Sequence, residues 1–288
     1  MILRAEAFAK TNLELAVLGR REDGFHELDT IFQTIDVTDT IQVAAGGSEI
    51  VVECNDPSVP SDARNIVHRA AVALRDRAGT ALGVRIRLEK RIPVGGGLGG
   101  GSADAAVGMV LLSRLWNLSL GEDVLSEIGA SLGSDVPFFL TGGTARGRGR
   151  GERIEPLPDR APVPLLLIVP PFSLSTAAVY SRWRPAVGEA ISSPVKTFGK
   201  NELASAVLDL EPEMIRYWET VSRYYPDCQI SGSGSSLVAR DPDRREDRLS
   251  AMRRDLPDAR VLRTRSVARG EYRDRTTIGI LRTEGNAG

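Results

Sequence analysis

Apolar and polar residues follow a strand-like pattern in the first third of the chain. Short strand-like runs occur at residues 31–37, 41–43 and 50–53. Further on, Val84, Ile86 and Leu88 alternate with charged residues, and this period of two is typical of a strand with one buried face. The pattern therefore predicts a sheet in the N-terminal half of the chain.

Apolar residues at helical spacing predict helices between and after these strands. Residues 61–79 are predicted to form a helix that Ser61 or Asp62 caps and that Gly79 ends. A second helix includes residues 105–116 and has a broad apolar face suited to burial against a sheet. Further helices are predicted at residues 122–132, 201–210, 212–224 and 244–256.

A segment rich in Gly, Pro and Arg divides the chain near its middle. Residues 143–164 predict a hairpin followed by a domain junction, because glycine and proline favour turns. The second half then opens on an apolar strand at residues 165–171. Strands and helices are mixed in both halves, which favours α+β layers over a single doubly wound sheet. We therefore predict two domains, residues 1–155 and 156–288.

Composition and charge narrow the classes of function. The 288 residues include 37 Lys and Arg against 38 Asp and Glu, so a nucleic-acid binder that relies on overall positive charge is not expected. Two cysteines without a partner motif predict neither a disulfide scaffold nor a zinc site. No signal-peptide pattern opens the chain, and prolines interrupt its most apolar stretch, residues 162–180. We expect a cytoplasmic protein without a membrane or nucleic-acid partner.

Glycine fills every position from Gly95 to Gly101 except Leu98. A predicted strand precedes this stretch and a predicted helix follows it. Free N–H groups and the positive end of the helix dipole then predict an anion site, usually occupied by phosphate. A flexible linker is less favoured between two such regular elements. A β-branched side chain at Gly97 is expected to block the approach of phosphate without unfolding the protein.

Two other phosphate-binding patterns fit this stretch less well. A Walker loop requires a lysine after its glycines, and none follows here. Gly95, Gly97 and Gly100 satisfy the dinucleotide-binding spacing GxGxxG, which is weak evidence alone. Its supporting acid would end a second strand, whereas Glu122 and Asp123 follow a segment that does not read as a buried strand.

The stretch PVGGGLGGGSA resembles the phosphate loop of the GHMP kinases, a superfamily that includes galactokinase, homoserine kinase and mevalonate kinase. Residues 132–139, LGSDVPFF, resemble the segment that carries the catalytic aspartate of these enzymes, and residues 228–239, CQISGSGSSLVA, resemble their late glycine loop. Residues 9–36 contain GRREDGFHEL and resemble the opening of the 4-diphosphocytidyl-2-C-methyl-D-erythritol kinases. Residues 63–71 and 142–152 share this likeness, which therefore spans nearly the whole chain.

The resemblance implies an α+β fold of two domains. The N-terminal domain would be mixed α/β and carry the glycine-rich phosphate loop, and the C-terminal domain would be ferredoxin-like. The implied function is an ATP-dependent kinase that phosphorylates the 2-hydroxyl of 4-diphosphocytidyl-2-C-methyl-D-erythritol, a step of non-mevalonate isoprenoid biosynthesis. The expected cofactor is ATP with Mg²⁺, for which no protein ligand is assigned. The expected partner is this small-molecule substrate, and the expected state is a monomer or a homodimer.

The resemblance also implies roles for individual residues. Lys10 and Asp135 align with the catalytic pair, in which the carboxylate takes the hydroxyl proton while the ammonium offsets phosphate charge. The residues expected to contact ATP are Pro93, Val94, Gly95, Gly96, Gly97, Leu98, Gly99, Gly100, Gly101, Ser102, Ala103 and Asn65. The residues expected to contact the substrate are Asn12, Phe25, His26 and Tyr180. The aromatic rings would stack on cytosine, and the imidazole would bind its edge.

Some positions depart from the family pattern or receive no catalytic role. Phe25 stands where the family usually has Tyr, and Thr11 places a hydroxyl where it has Ile or Leu. The arginines of residues 146–153 are expected to form a solvated charge run away from the chemistry. His68 is expected on a helix surface, without a function.

Two alternatives to this function are kept open. The first is another GHMP kinase, of homoserine or mevalonate type. The GFH segment, residues 24–26, argues against it, since those substrates carry no base to stack. The second is a catalytically silent nucleotide-binding protein, against which the presence of both Lys10 and Asp135 argues.

Overall fold

The computed structural model describes residues 2–159, 161–185, 201–276 and 279–281, and all statements below concern these residues. The strands are β1 (Ile2–Arg20), β2 (His26–Ala45), β3 (Ile50–Cys54), β4 (Val84–Glu89), β5 (Thr144–Gly149), β6 (Arg153–Pro156), β7 (Pro164–Val169), β8 (Gln229–Ile230), β9 (Leu237–Arg240), β10 (Arg260–Arg265) and β11 (Gly279–Leu281). The helices are α1 (Ile66–Ala78), α2 (Gly100–Leu115), α3 (Glu122–Leu132), α4 (Val136–Thr141), α5 (Thr176–Arg182), α6 (Ala204–Leu210), α7 (Glu213–Tyr224), α8 (Glu246–Asp255) and α9 (Arg269–Thr276).

The first sheet is built on the long antiparallel pair of β1 and β2. Its strand order is β11-β1-β2-β4-β3, and β5 pairs with both β2 and β6. Register shifts between Phe8 and Ala9 and between Asn12 and Glu14 interrupt the pairing of β1 with β2. Bulges of this kind change the direction in which nearby side chains point, and they are common beside active sites. The segment between the two shifts contains Lys10.

The second sheet has the strand order β10-β7-β9-β8, and every neighbouring pair in it is antiparallel. Along the chain, strand β7 is followed by helices α5 to α7, then by strands β8 and β9, helix α8 and strand β10. This element order is that of a ferredoxin-like unit.

The two largest apolar cores lie against these sheets. The first packs helices α1 to α4 on the first sheet and includes Ile86 and Leu112. The second packs helices α5 to α8 on the second sheet and includes Tyr217 and Met252. Strand β1 contributes to both cores, because Leu15 near its end belongs to the second. The long first strand therefore joins the two layers.

Most predicted elements are present with shifted ends. The separate strands predicted at residues 31–37 and 41–43 are wrong, because both segments belong to the 20-residue strand β2. The hairpin predicted after residue 143 is confirmed by the pairing of β5 with β6. None of the described helices is long and apolar enough to cross a bilayer.

The beginning of α1 differs from the prediction, whereas its end agrees with it. Asn65, rather than Ser61 or Asp62, caps the helix by accepting a hydrogen bond from the N–H of Val67 at 2.8 Å. The prediction failed because Ser61, Asp62 and Asn65 lie within five positions, and each of these residue types can cap a helix. Gly79 ends the helix with a left-handed φ of 60°, as predicted.

The end of the described chain returns to the first sheet. Strand β11 pairs antiparallel with β1, with Leu281 opposite Ile2. In α9, the hydroxyl of Tyr272 donates a hydrogen bond to the carbonyl of Phe139. The first sheet is thus not made from residues 1–155 alone, and the boundary after residue 155 stays a proposal.

Thr11 offers a test of packing inside β1. Its side chain is fully buried, and its hydroxyl has no hydrogen-bond partner. A buried polar group left unpaired costs about 1–3 kcal/mol. We therefore expect Thr11→Val to raise the free energy of unfolding by roughly 1 kcal/mol, measured by urea denaturation.

Thr34→Val is the matched control for this test. Thr34 is equally buried, but its hydroxyl accepts a hydrogen bond from the N–H of Gly143 at 3.0 Å. Loss of that acceptor should lower the free energy of unfolding by about 1–3 kcal/mol. Similar destabilisation of both variants would contradict the assignment of Thr11 as an unpaired group.

Candidate active site

The glycine-rich stretch connects β4 to α2 and has a defined shape. Gly95, Gly97 and Gly99 have φ values of 72°, 74° and 70°, in the left-handed region that favours glycine. Leu98 is buried and fixes the loop to an apolar cluster. Its carbonyl accepts a hydrogen bond from the N–H of Lys10 at 2.9 Å. The loop is therefore an ordered turn at a helix N-terminus, the usual setting of a phosphate site.

A second glycine loop, residues 231–236, packs directly against the first. The N–H of Ser236 donates to the carbonyl of Gly96 at 3.2 Å. A Cβ on Gly97 would lie 2.3 Å from the carbonyl oxygen of Ser231. A side chain at position 97 therefore requires the main chain to move and costs stability, and the expectation that the protein stays folded remains a prediction.

Lys10 and Asp135 meet beside the first glycine loop. Lys10 lies on β1, and Asp135 immediately precedes α4. The Lys10 Nζ is 3.4 Å from the Asp135 Oδ2. The lysine side chain is only 6% exposed, whereas that of Asp135 is 31% exposed and makes no capping hydrogen bond. The carboxylate is thus available to a ligand, while the ammonium is held in place.

A chain of hydrogen bonds through Asn12 orients the side chain of Lys10. Its Nζ donates to the Asn12 Oδ1 at 2.8 Å, and the Asn12 Nδ2 donates to the Thr30 Oγ1 at 2.7 Å. The Gln229 Nε2 donates to the main-chain carbonyl of Asn12 at 2.8 Å, which ties the second sheet to this strand. Both polar atoms of the Asn12 side chain are engaged. The structure therefore gives Asn12 an orienting position, and its contact with substrate stays a prediction.

A cavity of about 1280 Å³ contains the loop and the Lys10–Asp135 pair. Pockets for single ligands usually measure about 300–1,000 Å³, so this cavity has room for two. It is lined by every residue predicted to contact ATP or substrate except Ala103. Ala103 is completely buried in the first core, because α2 turns that position away from the cavity. The structure therefore gives Ala103 a core position, and its contact with ATP stays a prediction.

Asn65 reaches the cavity from the start of α1, but its side chain already has partners. Its Oδ1 accepts from the Val67 N–H at 2.8 Å, and its Nδ2 donates to the carbonyl of Pro60 at 2.7 Å. The residue is 3% exposed. Capping explains this geometry, and contact with adenine stays a prediction.

Aromatic side chains line one end of the cavity. Phe25 is 50% exposed, and the guanidinium of Arg150 lies 4.8 Å from the centre of its ring. The ring of His26 is 5.1 Å from that of Tyr180 and 5.5 Å from that of Trp183. Tyr180 thus contacts the imidazole. An exposed ring beside an imidazole provides a stacking face and a hydrogen-bonding edge for a flat heteroaromatic ligand.

The protonation states at this end favour directional hydrogen bonds. Burial, and secondly the positive charge of Arg20, lowers the pKa of His26. The imidazole is therefore neutral at pH 7, with one donor and one acceptor nitrogen. Burial, and secondly the charge of Asp135, raises the pKa of Tyr180, so its phenol keeps its proton.

Arg150 and Trp183 are among the cavity residues to which the sequence analysis gave no ligand contact. The prediction of a solvated charge run at residues 146–153 is wrong for Arg150, because the turn between β5 and β6 brings its side chain onto Phe25. A tight turn could have been inferred from the alternation of Arg and Gly, but its direction could not. Trp183 lies three residues after Tyr180, the spacing that places two side chains on one helix face.

Comparison with known proteins gives a consistent result. Residues 65–143 match the family profile described as GHMP kinases N terminal domain. The chain is 41% identical over 249 residues to the 4-diphosphocytidyl-2-C-methyl-D-erythritol kinase of Pelotomaculum thermopropionicum, covering 83% of this chain and 86% of that protein. It is 38% identical over 252 residues to the enzyme of the same name from Bacillus subtilis, covering 82% and 87%.

Solved structures show the same likeness. A 4-(cytidine 5'-diphospho)-2C-methyl-D-erythritol kinase superposes with a TM-score of 0.75 at 33% identity, covering 91% of this chain and 98% of that one. Homoserine kinase from Cytophaga hutchinsonii superposes with a TM-score of 0.70, covering 93% and 95%. Its identity is 17%, so this second likeness concerns the fold alone.

The contact between the glycine loops predicts different effects at two glycines. Gly97→Ala should lower the free energy of unfolding by at least about 1–3 kcal/mol, the cost of a left-handed non-glycine residue before any clash. Gly101→Ala is the control, since its Cβ would meet only the Ile66 side chain, at 3.6 Å, and alanine favours a helix. Urea denaturation measures both. Equal stability of the two variants would show that the loops are not in close contact.

Proposed function

The chain belongs to the 4-diphosphocytidyl-2-C-methyl-D-erythritol kinase family of the GHMP kinases, and we propose that it transfers the γ-phosphoryl group of ATP to the 2-hydroxyl of 4-diphosphocytidyl-2-C-methyl-D-erythritol. This reaction is a phosphotransfer to an alcohol, within isoprenoid precursor biosynthesis. The single observation that carries the proposal is that the Lys10–Asp135 pair shares one cavity with a phosphate-type loop and with the aromatic end. Lys10 contacts the loop through Leu98, and the charge of Asp135 acts on Tyr180.

The proposed chemistry follows from the two charges of this pair. In phosphoryl transfer the protein mainly positions the reactants and stabilises charge. Asp135 is exposed enough to accept the proton of the acceptor hydroxyl, and general-base assistance is typically worth about 10²–10⁴ in rate. Lys10 is held rigidly beside it and would offset the charge on the transferred phosphoryl group.

The glycine loop supplies the phosphate site. Its turn presents main-chain N–H groups at the N-terminus of α2, where the helix dipole also favours negative charge. The residues with left-handed φ values, Gly95, Gly97 and Gly99, have no side chains, so no Cβ atom of theirs blocks this surface. Lys10 lies directly beside the loop, because a Cβ added to Gly99 would be only 3.1 Å from the Lys10 Cγ. ATP bound at the loop would thus place its γ-phosphorus near Lys10.

The aromatic end supplies the base site. Phe25 offers a ring face to the cytosine, and neutral His26 offers a donor and an acceptor to its edge. The pyrophosphate of the substrate links its base to its alcohol, so a base held at Phe25 would direct the alcohol toward Asp135. Arg150 adds a positive charge at this end.

Magnesium would arrive with ATP. Within the described residues, no group of three or more His, Cys, Asp or Glu side chains could hold a metal ion. This fits Mg²⁺, which is commonly held by substrate phosphates and water with few protein ligands, and we assign it no protein ligand. When bound, the ion would offset charge developing on the phosphate oxygens.

Homoserine and mevalonate kinases share the fold, but their substrates would leave the base site of this chain without a ligand. The acceptors of those enzymes carry no heteroaromatic ring for Phe25 to stack on. Sequence identity also favours the cytidyl substrate, because the identity to the homoserine kinase is only 17%. A silent nucleotide-binding protein would have no need for the Lys10–Asp135 pair.

We also propose the cellular setting expected from the sequence: a cytoplasmic monomer or homodimer whose partner is its small-molecule substrate, with no nucleic-acid partner. The support is a net charge of -1 and two unpaired thiols, Cys54 and Cys228.

Asp135→Asn should lower turnover by at least about 10²-fold while ATP binding stays nearly unchanged. The substitution removes the base and keeps the shape, and Lys10 retains its hydrogen bond to Asn12. Single-turnover assays and calorimetry measure the two quantities. Asp123→Asn, an exposed acid on α3, is the control and should turn over normally. Normal turnover in Asp135→Asn would place the base elsewhere.

His26→Ala should raise the Michaelis constant for the cytidyl substrate by roughly tenfold and leave that for ATP nearly unchanged. One lost hydrogen bond costs about 0.5–1.5 kcal/mol, or up to about 3 if a buried base edge is left unpaired, and tenfold corresponds to about 1.4 kcal/mol. Phe25→Leu should act in the same direction. His68→Ala, at the other histidine and outside the cavity lining, is the control.

Competition by CMP and CDP gives an independent readout of the base site. Both should inhibit the wild-type protein against the cytidyl substrate, and both should inhibit His26→Ala more weakly. If neither competes, or if both variants keep wild-type constants, the cytidyl assignment is wrong. The broader kinase assignment would survive that result.

A further inference from the structure

A buried charged cluster lies beneath the glycine loop. It consists of Asp39, Lys90 and Asp104, whose side chains are 0%, 5% and 3% exposed. The Lys90 Nζ donates to the Asp104 Oδ2 at 2.5 Å and also to the Asp39 Oδ2. We call these three residues the triad. Neither the catalytic pair nor the base site includes any of them.

The triad holds both ends of the glycine loop. Asp39, on β2, accepts hydrogen bonds from the N–H groups of Arg91 at 2.5 Å and Ile92 at 2.8 Å, which fixes the chain as it enters the loop. Asp104 lies in α2, just after the loop. Lys90 links the two carboxylates, and a Cβ on Gly100 would lie 3.4 Å from its Nζ. Movement of the triad would therefore move the loop.

The charges of the triad do not balance. Two carboxylates share one ammonium, and the Asp104 Oδ1 is buried without a hydrogen-bond partner. An uncompensated buried charge is costly. Burial, which outweighs the attraction of Lys90, raises the pKa of Asp104 to about 7. Burial alone would lower the pKa of Lys90, but the two carboxylates outweigh it and raise that pKa, so Lys90 stays charged.

Among the described residues, few other charges face Asp104. Lys90 approaches from the segment after β4, and Asp39 approaches from β2. The Cys54 thiol, at the end of β3, interacts electrostatically with Lys90 and Asp104. The carboxylate of Asp56 interacts electrostatically with Lys90. The guanidinium of Arg91 also acts on Asp39, and the residues that α1 and β1 contribute to the first core are apolar. The excess negative charge of the triad is therefore assigned to Asp104, the residue with an unpartnered oxygen.

We propose that Asp104 is a positioning residue that takes up a proton from solvent when ATP binds at the glycine loop, so that the triad becomes neutral. The proton would attach to the unpartnered Oδ1, and no other bond changes. The inference rests on the ATP site of the proposed function. Lys90 and Asp104 both line the cavity, so bound phosphates would lie near them, and like charges disfavour an ionised carboxyl.

This proposal fixes the sign of the pH dependence. The protonated carboxyl is the form that binds ATP, so affinity should be highest below pH 7. Affinity should then fall as the pH rises through about 7, by at most tenfold per pH unit for one proton. An opposite slope is expected if the ionised Oδ1 accepts a hydrogen bond from the nucleotide.

Calorimetric titration of ATP with saturating Mg²⁺, without any acceptor alcohol, tests the proposal between pH 6 and pH 8.5. Titrations in two buffers of different ionisation heat report the protons taken up. The wild-type protein should take up a fraction of a proton at pH 7.5 and bind more weakly as the pH rises. Asp104→Asn should take up none and lose this slope, and Asp123→Asn should behave as wild type.

Each outcome decides the proposal. Binding without proton uptake, affinity that is flat or rises with pH, or the same uptake in Asp104→Asn would overturn it. If Asp104→Asn does not fold, the uptake measured for the wild-type protein decides alone. Failure of ATP to bind the wild-type protein would overturn the proposed function as well. Binding without uptake leaves that function intact, so the two failures are distinguishable.

Discussion

The buried ammonium of Lys10 constrains the whole site. A cation removed from water is costly unless it is paired and hydrogen-bonded, and this side chain is only 6% exposed. Asn12 and Asp135 must therefore stay within reach of it. Asn12 is in turn held by Thr30 on β2 and by Gln229 on β8. The position of one charge thus depends on both sheets, and the acid beside it is fixed relative to both.

The same residue links the two glycine loops. Its main-chain N–H donates to Leu98 in the first loop, and a Cβ on Gly232 in the second would lie 3.2 Å from its Nζ. The surfaces that would receive phosphate and acceptor are therefore assembled around the lysine before a ligand arrives. Preorganised charge of this kind is usually the largest contribution to catalysis. Close packing of the loops also gives a second reason for glycine at position 97, besides the approach of phosphate.

Sequence reasoning was most informative where chemistry demands a short motif. The glycine loop could be located because few local structures other than a phosphate site place so many glycines between a strand and a helix, whereas Lys10 and Asp135 were assigned by the resemblance of their segments to GHMP kinase motifs. It failed where direction or competition decides the outcome. Asn65 caps α1, and no local signal separates it from the other two candidate caps, Ser61 and Asp62. Arg150 looked like one of several solvated arginines, because a hairpin motif does not reveal which side chain points inward.

The most direct measurement is the release of ADP by the purified protein with a panel of alcohols, followed by phosphorus NMR of the product. The panel should contain 4-diphosphocytidyl-2-C-methyl-D-erythritol, homoserine and mevalonate at equal concentration, each with ATP and Mg²⁺. We predict ADP release with the cytidyl alcohol and one new phosphomonoester on its 2-hydroxyl. Equal or faster release with homoserine or mevalonate, or none with the cytidyl alcohol, would contradict the proposed function.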